Sequence, residues 1–271
     1  MNDVVLYEID KRGVAEVKLN RPEKNNAYNS EMINQLIDVF KKLNLNESVR
    51  IVVISGNGKH FQAGADLEWL KLIGKLSHEK NYEISKNTAE AIRGLTLFPK
   101  PTISIIHGGC FGGGTGIAAA SDIVLASKNS LFSISEARWG VMAGIIIPHL
   151  NNSIGIRNVR RYALTCERFD ANEAKRIGLV HEVCDDNEID DKKNFIIEQL
   201  LLSEPNAIKL SKRRSLIEAG LVLSEEKFHE LVEEHCKKSI YKPFQGDEIA
   251  AVNELEILLI NSIKDQMVAD V

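Results

Sequence analysis

TISIIHGGCFGGGTGIAAASDIVLAS, residues 102–127, decides the fold class. Its first part, TISIIHG, is an almost unbroken apolar run, the pattern of a strand covered on both faces. Gly112, Gly113 and Gly114 then open an alanine-rich helix, and DIVLAS returns to strand character. A strand that feeds a helix and is followed by another buried strand belongs to an α/β architecture.

The rhythm extends to both sides. Upstream, VRIVVIS at 49–55 is a second buried run, ended by Gly56-Asn57-Gly58, and a helical stretch over 85–97 stops at Phe98-Pro99-Lys100-Pro101. Between Ser30 and Leu43, the positions Met32, Ile33, Leu36, Ile37, Phe40 and Leu43 recur at helical spacing, with Ser30 as the expected cap. The chain opens with VVLYEI and VAEVKLN around the turn Lys11-Arg12-Gly13, a hairpin closed by Asn20-Arg21-Pro22. Downstream, SLFSIS reads as a short strand.

Beyond about Ser203 strand signals vanish, and KLSKRRSLIEAGL, SEEKFHELVEEHCKKSIY and DEIAAVNELEILLINSI read as helices. The expected division is a core of residues 1–202 and a helical region of residues 203–271. In the last helix, Ile249, Val252, Leu255, Leu258 and Leu259 form an apolar stripe that needs cover, either from its own core or from another subunit. No internal repeat or low-complexity tract stands out.

Composition narrows the function classes. The 271 residues are 44% hydrophobic and 27% charged with a net charge of -4, the profile of a soluble globular protein. No basic run marks a nucleic-acid surface. No apolar stretch approaches the roughly 20 residues of a membrane span. The N-terminus lacks the apolar segment of a signal peptide, so a cytoplasmic location is expected. Cys110, Cys166, Cys184 and Cys236 are too scattered for a zinc site or a disulfide framework and read as buried free thiols.

Three segments carry possible chemistry. FQAGADL at 61–67 follows a strand and precedes a helix; its small residues either bare backbone amides to a ligand oxygen, or simply make a tight turn with Asp66 as N-cap. HGGCFGGGTG at 107–116 sets unshielded amides at a helix start, where negative charge is favoured. It lacks the lysine of a phosphate loop and the glycine spacing of a dinucleotide site. His107 reads as a structural residue at a strand end. FSISEARWG at 132–140 brings one carboxylate, Glu136, to a strand end.

Taken in order, NRPEKNNAYN (20–29), FQAGADL, HGGCFGGGTG, SDIVLAS (121–127), FSISEARWG and LTCERFDANEAKRIGLVHEV (164–183) resemble the crotonase, or enoyl-CoA hydratase/isomerase, family over nearly the whole chain. The resemblance implies a spiral of repeated ββα units with a C-terminal helical trimerisation region, assembled as a homotrimer or dimer of trimers. It implies an acyl-coenzyme A thioester as substrate, with coenzyme A part of that substrate and no separate cofactor or metal. By the same resemblance, the amides of Ala65 and Gly113 form an oxyanion hole and Glu136 is the acid/base. Ala63, Gly64, Asp66, Gly112 and Gly116 line the substrate path, and the loop around Lys24 and Asn26 flanks the nucleotide end.

One departure from the family pattern bears on the reaction. Two-glutamate hydratases carry a first glutamate where this chain has Gly116, two positions after the glycine triplet. Gly116 is therefore expected to face Glu136 across an opening. Some relatives resembling bacterial methylglutaconyl-CoA hydratases share that glycine and a segment like 160–171. The expected reaction is hydration of a short or branched 2-enoyl-CoA. A single-base Δ3,Δ2-enoyl-CoA isomerase is the rival, and a non-catalytic thioester binder is the alternative outside the enzymes. Arg138, Trp139 and His149 either lie near the acyl pocket or are packing and surface residues; the sequence leaves both readings open.

Overall fold

In the computed structural model, residues 3–238 are described; the helix read over 247–263 and its apolar stripe lie outside them. Along the chain run β1 (Val5–Ile9), β2 (Val14–Leu19), α1 (Ser30–Leu45), β3 (Ile51–Gly56), α2 (Leu67–Ile73), α3 (His78–Thr96), β4 (Thr102–Ile106), β5 (Gly109–Phe111) and α4 (Gly113–Ala120). These are followed by β6 (Ile123–Ser127), β7 (Leu131–Ser133), α5 (Ile147–Thr165), β8 (Phe169–Asp170), α6 (Ala171–Ile177), β9 (Glu182–Cys184), α7 (Ile189–Leu201), α8 (Pro205–Glu218) and α9 (Glu225–Lys238).

The strands form two sheets, a larger one in the order β1-β2-β3-β4-β6-β9 and a smaller one in the order β5-β7-β8. β1 and β2 make the expected antiparallel hairpin, and the remaining ladders of the large sheet are parallel. Each turn of the chain lays one strand in the large sheet and one in the small sheet, then crosses back through a helix. β4, β5 and α4 make one such ββα unit, and β6, β7 and α5 make the next. An isolated bridge from Gln62 to Cys110 continues the small sheet into the turn that contains β3, α2 and α3.

Ile51, Val52, Val53 and Ile54 of β3 are all buried, as a strand between two covered faces requires. On one face Val14, Ile51, Val53 and Ile103 pack against Ile197 of α7. On the other, Val52 and Ile54 join the main core with Met32, Phe40, Ile92, Leu95 and Ile117 from the helices. All four cysteines are free thiols, Cys110 and Cys166 buried and the others half-buried.

Two local readings need correction. Asn29, not Ser30, caps α1: its side chain accepts from the Met32 amide at 3.0 Å, and Ser30 is the first helical residue. The glycine-rich segment before α4 also contains a strand, β5, which pairs in parallel with β7.

Candidate active site

The loop of residues 20–29 is held by Arg21 and Asn26. The Arg21 guanidinium donates to the Ala27 carbonyl at 2.5 Å and to Asp66 Oδ2 at 3.0 Å, fastening this loop to the 61–67 turn. Asn26 is fully buried with φ of 55°, a left-handed conformation that asparagine tolerates. Its side chain accepts from the Arg21 amide at 2.8 Å and donates to the carbonyls of Asn57 and His60, each at 2.8 Å. Asn26 therefore does not face a substrate, against expectation; every polar atom of its amide is used in joining three loops. Lys24 does line the cavity, beside Asn25, with its ammonium 3.1 Å from Glu68.

In the 61–67 turn, Gln62 folds back on its own loop. Its amide donates to the Gly64 carbonyl and accepts from the Gly64 amide, both at 2.9 Å, around a Gly64 φ of 89°. Tyr28 brackets the same turn, donating its amide to Gly64 and accepting from the Asp66 amide, each at 2.9 Å. Asp66 Oδ1 caps α2 through the amides of Glu68 and Trp69. Burial works to raise the Asp66 carboxyl, but hydrogen bonds from Arg21 and these amides bring it below its ordinary value. Both readings of this segment thus hold at once, because the tight, aspartate-capped turn leaves the Ala65 amide without an acceptor among the described residues.

The same is true of Gly113. As the first residue of α4 it has no intrahelical acceptor, whereas the Gly112 amide is committed to the Ser133 carbonyl at 2.9 Å. Gly112 has φ of 51°, and a Cβ built on it would stand 3.1 Å from Glu136 Oε1 and 3.4 Å from the Gly64 Cα. At Gly113, a Cβ would meet the Tyr28 ring at 2.6 Å. The absence of side chains at both positions lets the 61–67 turn, the glycine triplet and the strand end with Glu136 close on one another.

Glu136 begins a short 3-10 helix, Glu136–Trp139, just after β7. Its carboxylate Oε2 is shut from solvent and has no hydrogen-bond partner among the described residues. Burial pushes this carboxyl up to about 7, against weaker lowering by backbone hydrogen bonds. Such a group exchanges protons near neutrality.

These groups line one cavity of about 580 Å³. Ala63, Gly64, Ala65, Asp66, Gly112, Gly113 and Glu136 are on its wall, as are Arg138 and Trp139. His149 is not; it is buried elsewhere, its Nδ1 2.9 Å from Thr96 Oγ1. Nor does Gly116 face an opening. A Cβ there would fall 2.3 Å from Ile146 Cγ2 and 3.0 Å from Ile146 Cβ, so Ile146 occupies the space where a second carboxylate was expected to be missing. His107 is structural, its ring 2.9 Å from the Gly58 carbonyl.

Three cavity residues were not anticipated. Tyr28 lies between the turn and the triplet, and burial with the nearby Glu136 charge raises its hydroxyl to an unusually high pKa. His60 accepts from the Gly109 amide at 2.8 Å and, lowered by burial to about 4, is a neutral support for the glycine segment. His235 comes from α9, a helix rich in charged residues.

Two uncommitted amides beside a carboxyl titrating near 7 can hold a developing oxyanion and move one proton. The sequence matches the family model described as enoyl-CoA hydratase/isomerase over residues 10–238.

The chain belongs to the enoyl-CoA hydratase/isomerase family.

Its relatives in that family span two reaction types. It is 33% identical to the short-chain-enoyl-CoA hydratase of Clostridium acetobutylicum over 79% of this chain and 80% of that protein. It is 32% identical to the peroxisomal Delta(3,5)-Delta(2,4)-dienoyl-CoA isomerase of Arabidopsis thaliana, over 75% and 79% respectively. Among solved structures, an enoyl-CoA hydratase from Shewanella pealeana superposes with a TM-score of 0.77 at 31% identity, over 93% of this chain and 94% of that one. The protein is thus an enzyme of the crotonase family with the crotonase fold.

Proposed function

We propose that the enzyme adds water to a short or branched 2-enoyl-CoA. The amides of Ala65 and Gly113 hold the thioester oxygen as the enolate forms, and Glu136 takes a proton from water and delivers one to C2. The observation that carries this reading is the convergence, on the wall of one cavity, of two amides with no acceptor among the described residues and a buried carboxyl that titrates near 7 and has one oxygen without a partner among those residues. Each amide donor of an oxyanion hole is typically worth about 3 kcal/mol in the transition state. The thioester arm runs past Ala63 toward the loop that carries Lys24, which flanks the nucleotide end.

A specific observation favours a second reading. With Ile146 against Gly116, no carboxylate can stand there to help Glu136 hold water. Moving a proton from C2 to C4 of a 3-enoyl thioester needs only one base, so isomerisation is the alternative.

Ultraviolet absorbance separates the two. Hydration bleaches the conjugated band of a 2-enoyl-CoA, and isomerisation of a 3-enoyl-CoA creates it. Bleaching is expected, and the Glu136→Gln variant should slow it by at least about 100-fold with thioester affinity nearly intact. Appearance of the band from the 3-enoyl substrate without any bleaching of the 2-enoyl one replaces hydration by isomerisation.

A further inference from the structure

Tyr28 ties together the two amides assigned to the thioester oxygen. Its backbone is paired with the 61–67 turn: it forms a parallel bridge to Ala65, donates its amide to the Gly64 carbonyl and accepts from the Asp66 amide. Its ring reaches across to the start of α4. A Cβ built on Gly113 would stand 2.6 Å from Tyr28 Cε1, 3.2 Å from Cδ1 and 3.5 Å from Cζ, so the ring edge that ends at the hydroxyl lies along Gly113. Trp69 holds the ring edge-on, with centroids 5.6 Å apart at 68°, and is itself fixed by its indole N–H, which donates to Ser30 Oγ at 2.9 Å.

The hydroxyl is uncommitted. It has no hydrogen-bond partner among the described residues, yet it is not one of the unpartnered atoms shut from solvent, and the half-buried residue lines the cavity. It therefore opens on the cavity. Its neighbours locate it at the reacting end: Gly113 lies against the ring, and burial, with the Glu136 charge, holds the phenol well above its ordinary pKa. The group stays protonated at any working pH and is a permanent donor. An oxygen bonded by both the Ala65 and the Gly113 amides sits between the two segments that Tyr28 joins, beside the end of its ring.

We infer that the Tyr28 hydroxyl donates a third hydrogen bond to the thioester oxygen as the enolate forms. The inference rests on the proposal that the cavity takes an acyl-CoA whose carbonyl is held by Ala65 and Gly113. A neutral donor fixed in a buried pocket binds more strongly as negative charge grows on the oxygen, and so lowers the barrier without moving a proton. It serves hydration and isomerisation alike, since both pass through the enolate. A hydroxyl that instead held the attacking water, in place of the carboxylate that Ile146 excludes, would leave enolisation untouched.

Tyr28→Phe removes the oxygen and leaves the ring against Gly113, so a role confined to packing predicts no change. A short saturated acyl-CoA, isotope-labelled at its carbonyl carbon, is bound to the full-length wild type and to the variant. Two readouts are taken, deuterium entry at C2 in heavy water by proton NMR and the infrared band of the bound carbonyl. Tyr28→Phe should slow the exchange at least about tenfold and move the band to higher wavenumber, while binding the thioester nearly as tightly. If either the exchange rate or the band is the same as in the wild type, the inference is overturned. Should both stay the same while hydration of a 2-enoyl-CoA slows, the hydroxyl holds the attacking water and not the thioester oxygen. Wild-type enzyme that binds no thioester would instead remove the underlying acyl-CoA reading, and this inference with it.

Discussion

Oε1 of Glu136 stands 3.1 Å from the point where a side chain on Gly112 would begin, and Gly112 itself has φ of 51°. Gly112→Ala therefore meets two obstacles, a left-handed backbone and a carboxylate already in place. It should lose about 1 kcal/mol or more of stability and, by displacing Glu136, lower kcat at least about tenfold. Thermal melts and steady-state kinetics on one preparation check both. Unchanged kcat would mean that the close approach does not set the position of the carboxylate.

The raised pKa of Glu136 gives two pH signatures of opposite sense. The folded chain holds this proton up to about pH 7, whereas an ordinary glutamate releases it near 4.5, so between these values the native state binds more protons than the unfolded one. Stability relative to Glu136→Gln should fall as pH rises from about 4.5 to about 7 and level off above. Catalysis needs the ionised form as proton acceptor, so kcat/KM should rise through about pH 7. Denaturant titrations and rate profiles across this range measure both; a rate that falls through pH 7 would require Glu136 to start protonated.

Restoring a carboxylate at Gly116 requires a second change. Gly116→Glu alone drives a side chain into Ile146 and should destabilise the fold by the roughly 1–3 kcal/mol typical of overpacking. Combining it with Ile146→Ala opens the space, so the double variant should recover part of the lost stability, as denaturant midpoints will show. Equal loss in the single and double variants would place the clash elsewhere.

Large apolar side chains stand exposed on the helices or at their ends, Leu164 at 77%, Leu202 at 82% and Leu210 at 63%. Assembly into a trimer or a dimer of trimers would cover such surface. Light scattering at micromolar concentration should give three or six chain masses, and a monomer would refute the assembly.

The elements legible in the sequence are those whose signal is local. Continuous apolar runs gave away β3 and β4, and the glycine triplet marked the start of α4, because neither depends on distant partners. Asn29 and Ser30 are adjacent and both can cap, so sequence chemistry alone does not choose between them. β5 was hidden because Gly109-Cys110-Phe111 has no alternation and becomes a strand only by pairing with β7. At the site, the family motifs placed Ala65, Gly113 and Glu136 on the wall of one cavity. The same motifs could not show that Asn26 turns inward, or that Ile146, thirty residues after Gly116, fills the space before it. His235 was harder still, since a helix of mostly charged residues gives no sign that one of its polar side chains lines a cavity.

The central claim is that Ala65, Gly113 and Glu136 together enolise a bound thioester, a step shared by hydration and isomerisation. The most direct measurement follows deuterium entering C2 of a short saturated acyl-CoA in heavy water at pH 8, by proton NMR. The wild type should exchange the C2 protons well above the buffer rate, and Glu136→Gln should exchange them at least about 100-fold more slowly while binding the thioester as tightly. Exchange at the buffer rate by wild-type enzyme saturated with the thioester, or exchange untouched by Glu136→Gln, would contradict it.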